Sequence, residues 1–341
     1  MGARRILVVD AGGTIAQVRA GSELGYEQSD APLAFLSVEE RELLAALAHV
    51  EGVRLFAKDS TVITPTDWGL IAEAITARLR EFDGFVVTHG TDSLAYTASA
   101  LSWMLGQLDR PVVVTGAQMP MRDASVQGRS DGWSNLVNAV KVAVDGRIPE
   151  VSVVFGSQVL RGNRSTKSRV TFLDAFESPS FPALAHIGRE IAYSPFYLAP
   201  ECAISAPSRP SSWPHLAFLK AFPGLSPATV ARLLDDCDGC VVEVFSSGSL
   251  PPQLLRTLHE SRRPCVLSLP GGTGITDSFR YEPAYWHEEE LVVSARDMTR
   301  EAAITKLTWA LADGRAPAEA VELVRRNLAG EMQTRTLPYE L

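Results

Sequence analysis

Three side chains of this sequence make a chemically competent set if the fold gathers them. Thr91, Asp92 and Lys167 bring a hydroxyl, a carboxylate and an ammonium, which activate a hydroxyl or a water once the lysine's surroundings favour its deprotonated form. Thr91 and Asp92 lie in Thr88-His89-Gly90-Thr91-Asp92-Ser93, and Lys167 closes Arg161-Gly162-Asn163-Arg164-Ser165-Thr166-Lys167. Small, hydroxyl and amide residues recur after other apolar runs: Asp10-Ala11-Gly12-Gly13-Thr14, Asp59-Ser60-Thr61 and Thr115-Gly116-Ala117-Gln118. Each has an ordinary explanation alone. Gly and Thr are common at strand ends, a lone lysine is usually solvated, and His89 before Gly90 reads as a hydrogen-bonded structural residue. Their joint placement beyond five apolar runs marks a site, because open parallel sheets bind ligands beyond the carboxyl ends of their strands.

Other chemistries lack their residues. Ala11-Gly12-Gly13-Thr14 does not fit the G-x-G-x-x-G dinucleotide pattern. Of Cys202, Cys237, Cys240 and Cys265, only Cys237-Asp238-Gly239-Cys240 makes a C-x-x-C, without the second pair that zinc would want. Reduced, mostly buried thiols are expected, and no metal and no cofactor.

The elements that must position these residues follow from the apolar pattern. Arg5–Val9, Val53–Ala57, Phe85–Thr88, Pro111–Thr115 and Val151–Phe155 read as strands. A helix opened by the capping box Ser37-Val38-Glu39-Glu40 runs through Leu47. Thr64-Pro65-Thr66-Asp67 opens another, with Leu70, Ile71, Ala74, Ile75 and Leu79 on one face. Helices over Ala95–Leu108 and Asn135–Val144 complete an alternation typical of a parallel sheet covered on both sides. SAPSRPSSWP, rich in Ser and Pro, reads as a linker. Beyond it come a helix from Ser226-Pro227, strands at Val241–Phe245, Val266–Leu269 and Leu291–Ser294, and helices from Thr299 and near Pro317. The fold class expected is α/β: a larger N-terminal doubly wound parallel-sheet domain over 1–204, a linker over 205–214 and a smaller α/β domain over 215–341.

The chain has 341 residues, 46% hydrophobic, with a net charge of −8 and no basic run, which argues against a nucleic-acid or membrane partner. MGARRILVVDAGG has too short an apolar segment for a signal peptide, and no stretch approaches the ~18 apolar residues of a membrane span. A cytoplasmic protein is expected.

The stretches Gly84–Leu105 (GFVVTHGTDSLAYTASALSWML), Ala11–Ala16 (AGGTIA), Asp59–Trp68 (DSTVITPTDW), Thr115–Pro120 (TGAQMP), Ser130–Val140 (SDGWSNLVNAV) and Leu160–Lys167 (LRGNRSTK) together resemble the bacterial L-asparaginases, more closely their cytoplasmic type I form. The likeness continues through Leu173–Phe176, Val242–Phe245, and Asp297–Thr299 with Glu301–Leu307. It implies hydrolysis of asparagine to aspartate and ammonia through an acyl-enzyme, in a homodimer or homotetramer. Thr91, Asp92 and Lys167 then correspond to a hydroxyl-activating group, with Asp92 also holding the substrate's amino group. Ser60 and Thr61 would bind the substrate's α-groups, Ala117 would offer its backbone carbonyl, and Tyr26 would be the flap tyrosine. Two stretches depart from the family, Ser246–Pro251 and Leu269–Gly274, which puts substrate preference and regulation in question.

The largest departure is Ala11, at the position of the family's threonine nucleophile. Alanine leaves the pocket and its charges nearly intact but lacks the atom that bonds to the substrate, and removing a nucleophile costs on the order of 10⁶ in turnover, about 8 kcal/mol of barrier. Three readings stand open. A single Thr→Ala change made to trap substrate is favoured by one broken part among intact ones. A natural chain repurposed for amino-acid binding, sensing or another reaction is the second. Thr91, helped by Lys167, acting as the nucleophile itself is the third.

Overall fold

The structure, a computed structural model, describes residues 3–20, 23–26, 33–122, 130–194, 202–272 and 290–333. It divides into two units, one of residues 1–200 and 205–209, the other of 201–204 and 210–341. The Ser- and Pro-rich stretch is thus shared between them, its first five residues grouping with the first unit.

The first unit runs β1 (Arg5–Gly12), β2 (Gln17–Ala20), β3 (Glu23–Tyr26), α1 (Val38–Ala45), β4 (His49–Lys58), α2 (Pro65–Thr76), β5 (Gly84–Thr88), α3 (Leu94–Met104), β6 (Val112–Thr115), α4 (Gly132–Asp145), β7 (Val151–Phe155), β8 (Gln158–Arg161), β9 (Thr166–Lys167), β10 (Phe176–Glu177), β11 (Ala185–Ile187) and β12 (Ile191–Tyr193). Among the described residues its main sheet has the order β12-β11-β8-β7-β6-β5-β1-β4. Strands β4, β1, β5, β6 and β7 are parallel, and β5, β6 and β7 are buried throughout, as their valine-rich runs require when helices cover both faces. The chain passes from β1 to β4 on one side and returns to β5 on the other, which puts a topological switch point, where α/β sheets open a crevice, beside β1.

The local signals act as their chemistry dictates. Ser37 Oγ accepts from the Glu40 amide, and the Ser37 amide donates to the Glu40 carboxylate, closing the capping box that starts α1. The sheet is parallel-dominated, as expected, and β8, β11 and β12 extend one edge antiparallel. One expectation needs correction. Leu70 stands exposed on α2, while Trp68 and Ala72 join Ile71, Ala74 and Ile75 in the buried set. The buried stripe of α2 is therefore rotated from the one expected.

The second unit holds β13 (Leu216–Lys220), α5 (Pro227–Asp235), β14 (Gly239–Glu243), α6 (Pro252–Glu260), β15 (Cys265–Ser268), β16 (Val292–Ser294), α7 (Arg300–Leu311) and α8 (Pro317–Arg325). Its sheet is parallel in the order β13-β14-β15-β16. Cys237, Cys240 and Cys265 are buried free thiols, and burial pushes Cys265 up to about 12, far from a reactive thiolate. Of the Leu269–Gly274 loop, Thr273 and Gly274 lie outside the described residues.

Candidate functional site

The parallel strands of the first sheet end on one side, and their exits pack tightly. Gly12 ends β1 and Gly13 follows it, with φ of 81° and 80°. A side chain at Gly13 would put its Cβ 2.1 Å from the Gly90 amide nitrogen, so only glycine brings the turn after β1 against the loop after β5. A Cβ on Gly90 would in turn meet Ser60 Oγ at 2.6 Å, so the exits of β1, β4 and β5 touch in series. Ala11 is buried in the first of them, at the end of β1.

Lys167, on β9, reaches back across the chain to the β5 exit. Its Nζ donates to Thr91 Oγ at 2.8 Å and to Asp92 Oδ1 at 2.7 Å. The Lys167 side chain is 13% exposed and that of Asp92 59%, so the pair is open on the carboxylate side and sheltered on the lysine side. Thr91 is buried.

Gln118 sets the direction of the Thr91 hydroxyl. Its Nε2 donates to the carbonyls of Val170 and Phe172, at 2.8 and 3.0 Å, which settles which end of the amide is nitrogen. Oε1 therefore faces Thr91, whose hydroxyl donates to it at 3.3 Å while accepting from Lys167. Gln118 is held in turn from the start of α4, where the Asp131 carboxylate accepts from the amides of Gln118 and Met119 and from Asn135 Nδ2. Asn135 also donates to the Gly116 carbonyl. The side chain of Ala117, in the middle of this loop, is buried in the core.

The β4 exit is tied to the same group. Ser60 Oγ accepts from the Asp92 amide at 3.2 Å, and the Ser60 carbonyl accepts from Ser93 Oγ at 2.6 Å. Thr61 turns its amide and hydroxyl to Asp59, holding that carboxyl below its ordinary range. The Thr61 oxygen keeps lone pairs but its proton is engaged. Tyr26 pairs with Gln17 through the β2–β3 ladder, and its side chain lies outside what is described.

His89 belongs to the scaffold. Nδ1 donates to the Gly90 carbonyl at 2.8 Å, so Nε2 accepts from the Thr97 hydroxyl at 2.9 Å. Burial lowers it to about 4, which leaves it neutral at physiological pH and without a proton to exchange.

The fold thus gathers Thr91, Asp92, Lys167 and Ser60 directly, with Thr61 and Ala117 on adjoining segments. The sequence reading placed Gln118 among the polar residues after the fourth run and Asp131 and Asn135 in a resembling stretch, but gave none of the three a function of its own. The four-residue spacing of Asp131 and Asn135 at a helix start was the signal available for that pair, since such residues share a helix face. The assembly offers a sheltered hydroxyl between an ammonium and an amide, with a carboxylate open to a ligand. Chemically, such a set can pair with a zwitterion and can exchange a proton at Thr91 Oγ.

Residues 5–196 match the family described as asparaginase, N-terminal, and residues 215–324 the glutaminase/asparaginase C-terminal domain. The chain is 34% identical to the L-asparaginase of Thermococcus kodakarensis, over 96% of this chain and 99% of that protein. It is also 34% identical to L-asparaginase 1 of Escherichia coli, over 96% and 98%. A 60 kDa lysophospholipase of Mus musculus is 37% identical, over 82% of this chain and half of that longer protein. The solved structure of the thermostable Thermococcus enzyme superposes with a TM-score of 0.84 at 32% identity, covering 97% of this chain and all of that one.

Proposed function

Since the chain belongs to the asparaginase family through both of its domains, we propose that its site binds a small amide of the asparagine type and that Ala11 leaves it nearly unable to hydrolyse it. One observation carries the reading: the contact of Lys167 with both Thr91 and Asp92, made where the turn holding Ala11 meets the Thr91 loop. The open Asp92 carboxylate pairs with the substrate's ammonium, Ser60 Oγ donates to its α-carboxylate, and Thr61 joins it by turning its hydroxyl from Asp59. A hydroxyl at position 11 would attack the side-chain carbonyl, expel ammonia and leave an ester. Water activated at Thr91, with Lys167 in its amine form taking its proton and the position-11 oxygen recovering one as the ester breaks, would then release aspartate. With a methyl group at position 11 the first bond cannot form. The same reading carries a cytoplasmic homodimer or homotetramer that needs no cofactor.

A second reading has the Lys167 contact in its favour. Lys167 Nζ lies on the Thr91 oxygen, and in its amine form, with the hydroxyl turned from Gln118 toward it, it would take the Thr91 proton and let Thr91 take over the missing attack.

Ammonia release from asparagine and glutamine, before and after Ala11→Thr, tests both. Activity that appears only with Ala11→Thr supports a disabled amidohydrolase. Activity already present with Ala11, and abolished by Thr91→Ala, supports the second reading. Silence of both forms with aspartate binding intact sinks hydrolysis and leaves a binding protein.

A further inference from the structure

One rung of the first sheet is polar where the rung before it is aliphatic. Asp10 on β1 lies opposite Arg54 on β4 and Thr88 on β5, and Thr88 lies opposite Thr115 on β6. One residue earlier, Val9 faces Val53 and Val87, and Val87 faces Val114. Residues opposite one another in parallel strands point to one face, so Arg54, Asp10, Thr88 and Thr115 form a row across four strands. Asp10, Thr88 and Thr115 are fully buried, and the Arg54 side chain is 8% exposed.

The Asp10 carboxylate is the centre of that row. Oδ2 accepts from Arg54 Nε at 3.1 Å, and Oδ1 accepts from Thr88 Oγ at 3.1 Å and from the Gly12 amide at 3.0 Å. Beyond this rung each strand leads to a segment of the site, β1 at once into Ala11–Gly13, β5 into 89–92 and β6 into 116–118, and β4 after Leu55, Phe56 and Ala57 into 58–61. Successive side chains of a strand point to opposite faces, so Asp10 faces away from the side chain at position 11.

Burial pushes the Asp10 carboxyl up from its ordinary range, against the Gly12 amide, Arg54 and Thr88, which lower it. A valine here would avoid that desolvation, and aliphatic rungs hold these strands together elsewhere. What an aliphatic residue cannot supply is direction. Three hydrogen bonds to one carboxylate fix the turn after β1 relative to the ends of β4 and β5, and a site tolerates displacements of only about 0.5 Å.

We propose that Asp10 is the positioning residue of the site, its carboxylate setting the mutual placement of the segments that carry Ala11, Ser60 and Thr91 through Gly12, Arg54 and Thr88. This rests on reading those segments as the substrate site.

The test uses the unaltered full chain, Asp10→Asn, and Thr88→Val, which removes one bond to the carboxylate without leaving a buried charge unpaired. L-Aspartate is the calorimetric probe, and amide hydrogen exchange is followed in the same samples. Asp10→Asn is expected to raise the aspartate Kd about tenfold or more, and Thr88→Val about two- to tenfold. Exchange should quicken together at 12–13, 59–61 and 89–92 and stay unchanged in β13–β15 of the second unit. An unchanged Kd in the folded variants with only a lower Tm, or exchange that quickens evenly over the chain, overturns the proposal. If the unaltered chain does not bind aspartate, it is the substrate-site reading that fails, and the exchange pattern of Thr88→Val still decides for or against Asp10. The Thr88→Val arm also decides if Asp10→Asn does not fold.

Discussion

At the scale of single residues, the proposed function makes Ala11 one missing hydroxyl, and the remaining groups make separable predictions. Thr91 accepts a hydrogen bond from Lys167 and donates one to Gln118, so its oxygen presents a lone pair to the amine while its proton rests on an amide that cannot take it. In the Ala11→Thr form, Lys167→Met should lower kcat by on the order of 10²–10⁴, the usual worth of a positioned acid–base group, with a smaller change in KM. A variant that keeps its full rate would remove Lys167 from the chemistry. Gln118→Met nearly keeps the volume but loses the acceptor for Thr91 and both donors to the Val170 and Phe172 carbonyls. It should cost about two- to tenfold in kcat, as expected for one hydrogen bond, and should speed tryptic cleavage after Arg169. Cleavage at the unaltered rate would show that Gln118 does not hold that segment.

At the scale of elements, the exits of β1, β4 and β5 behave as one packed unit. Gly13→Ala would force a Cβ against the Gly90 and His89 backbone at a φ of 80°, and should cost more than about 2 kcal/mol in denaturant unfolding. A neutral substitution would mean that the loop after β5 gives way. His89 joins the end of β5 to α3 through Thr97. Its folded value of about 4 lies below the ordinary 6.5, so between those limits the unfolded chain binds a proton that the folded chain does not. Stability from this residue is complete above pH 6.5 and falls by about 3 kcal/mol as pH drops toward 4. His89→Gln should flatten the fall in stability between pH 7 and 4.5, and an unchanged slope would place the acid sensitivity elsewhere. Much at this scale was legible in the sequence. The central strands were, because valine runs buried on both faces leave few alternatives, and so was α1, because Ser37 and Glu40 cap each other locally. Strands β11 and β12 were not, since three residues carry no period and their pairing depends on β8 being there to extend. Leu70 was misplaced because helix periodicity gives a stripe but not which side of it the sheet covers.

At the scale of the whole molecule, each unit has its own internal brace. In the second, the wholly buried Lys306 ammonium donates to the Val324 and Arg326 carbonyls and to the Glu331 carboxylate, which also accepts from the amides of Leu328 and Ala329. Burial pushes the lysine's pKa down, and the carboxylate opposes the shift. Lys306→Met leaves Glu331 buried without its cation and should cost about 3–5 kcal/mol. Adding Glu331→Leu should recover part of the loss, and a double variant no better than the single would show that the carboxylate serves the 328–329 amides alone. By itself the sequence determined what is local and categorical: strands that end in polar turns, an α/β class in two parts, and a methyl group in place of any hydroxyl at position 11. Tertiary structure alone decided which polar groups meet, such as Gln118 with Thr91, 27 positions apart, and Asp10 with Arg54, 44 apart. The physical reason is range. Burial leaves a periodic trace in the order of residues, whereas a hydrogen bond acts only over about 3 Å and in one direction, so its partner is settled only when the strands have been laid side by side.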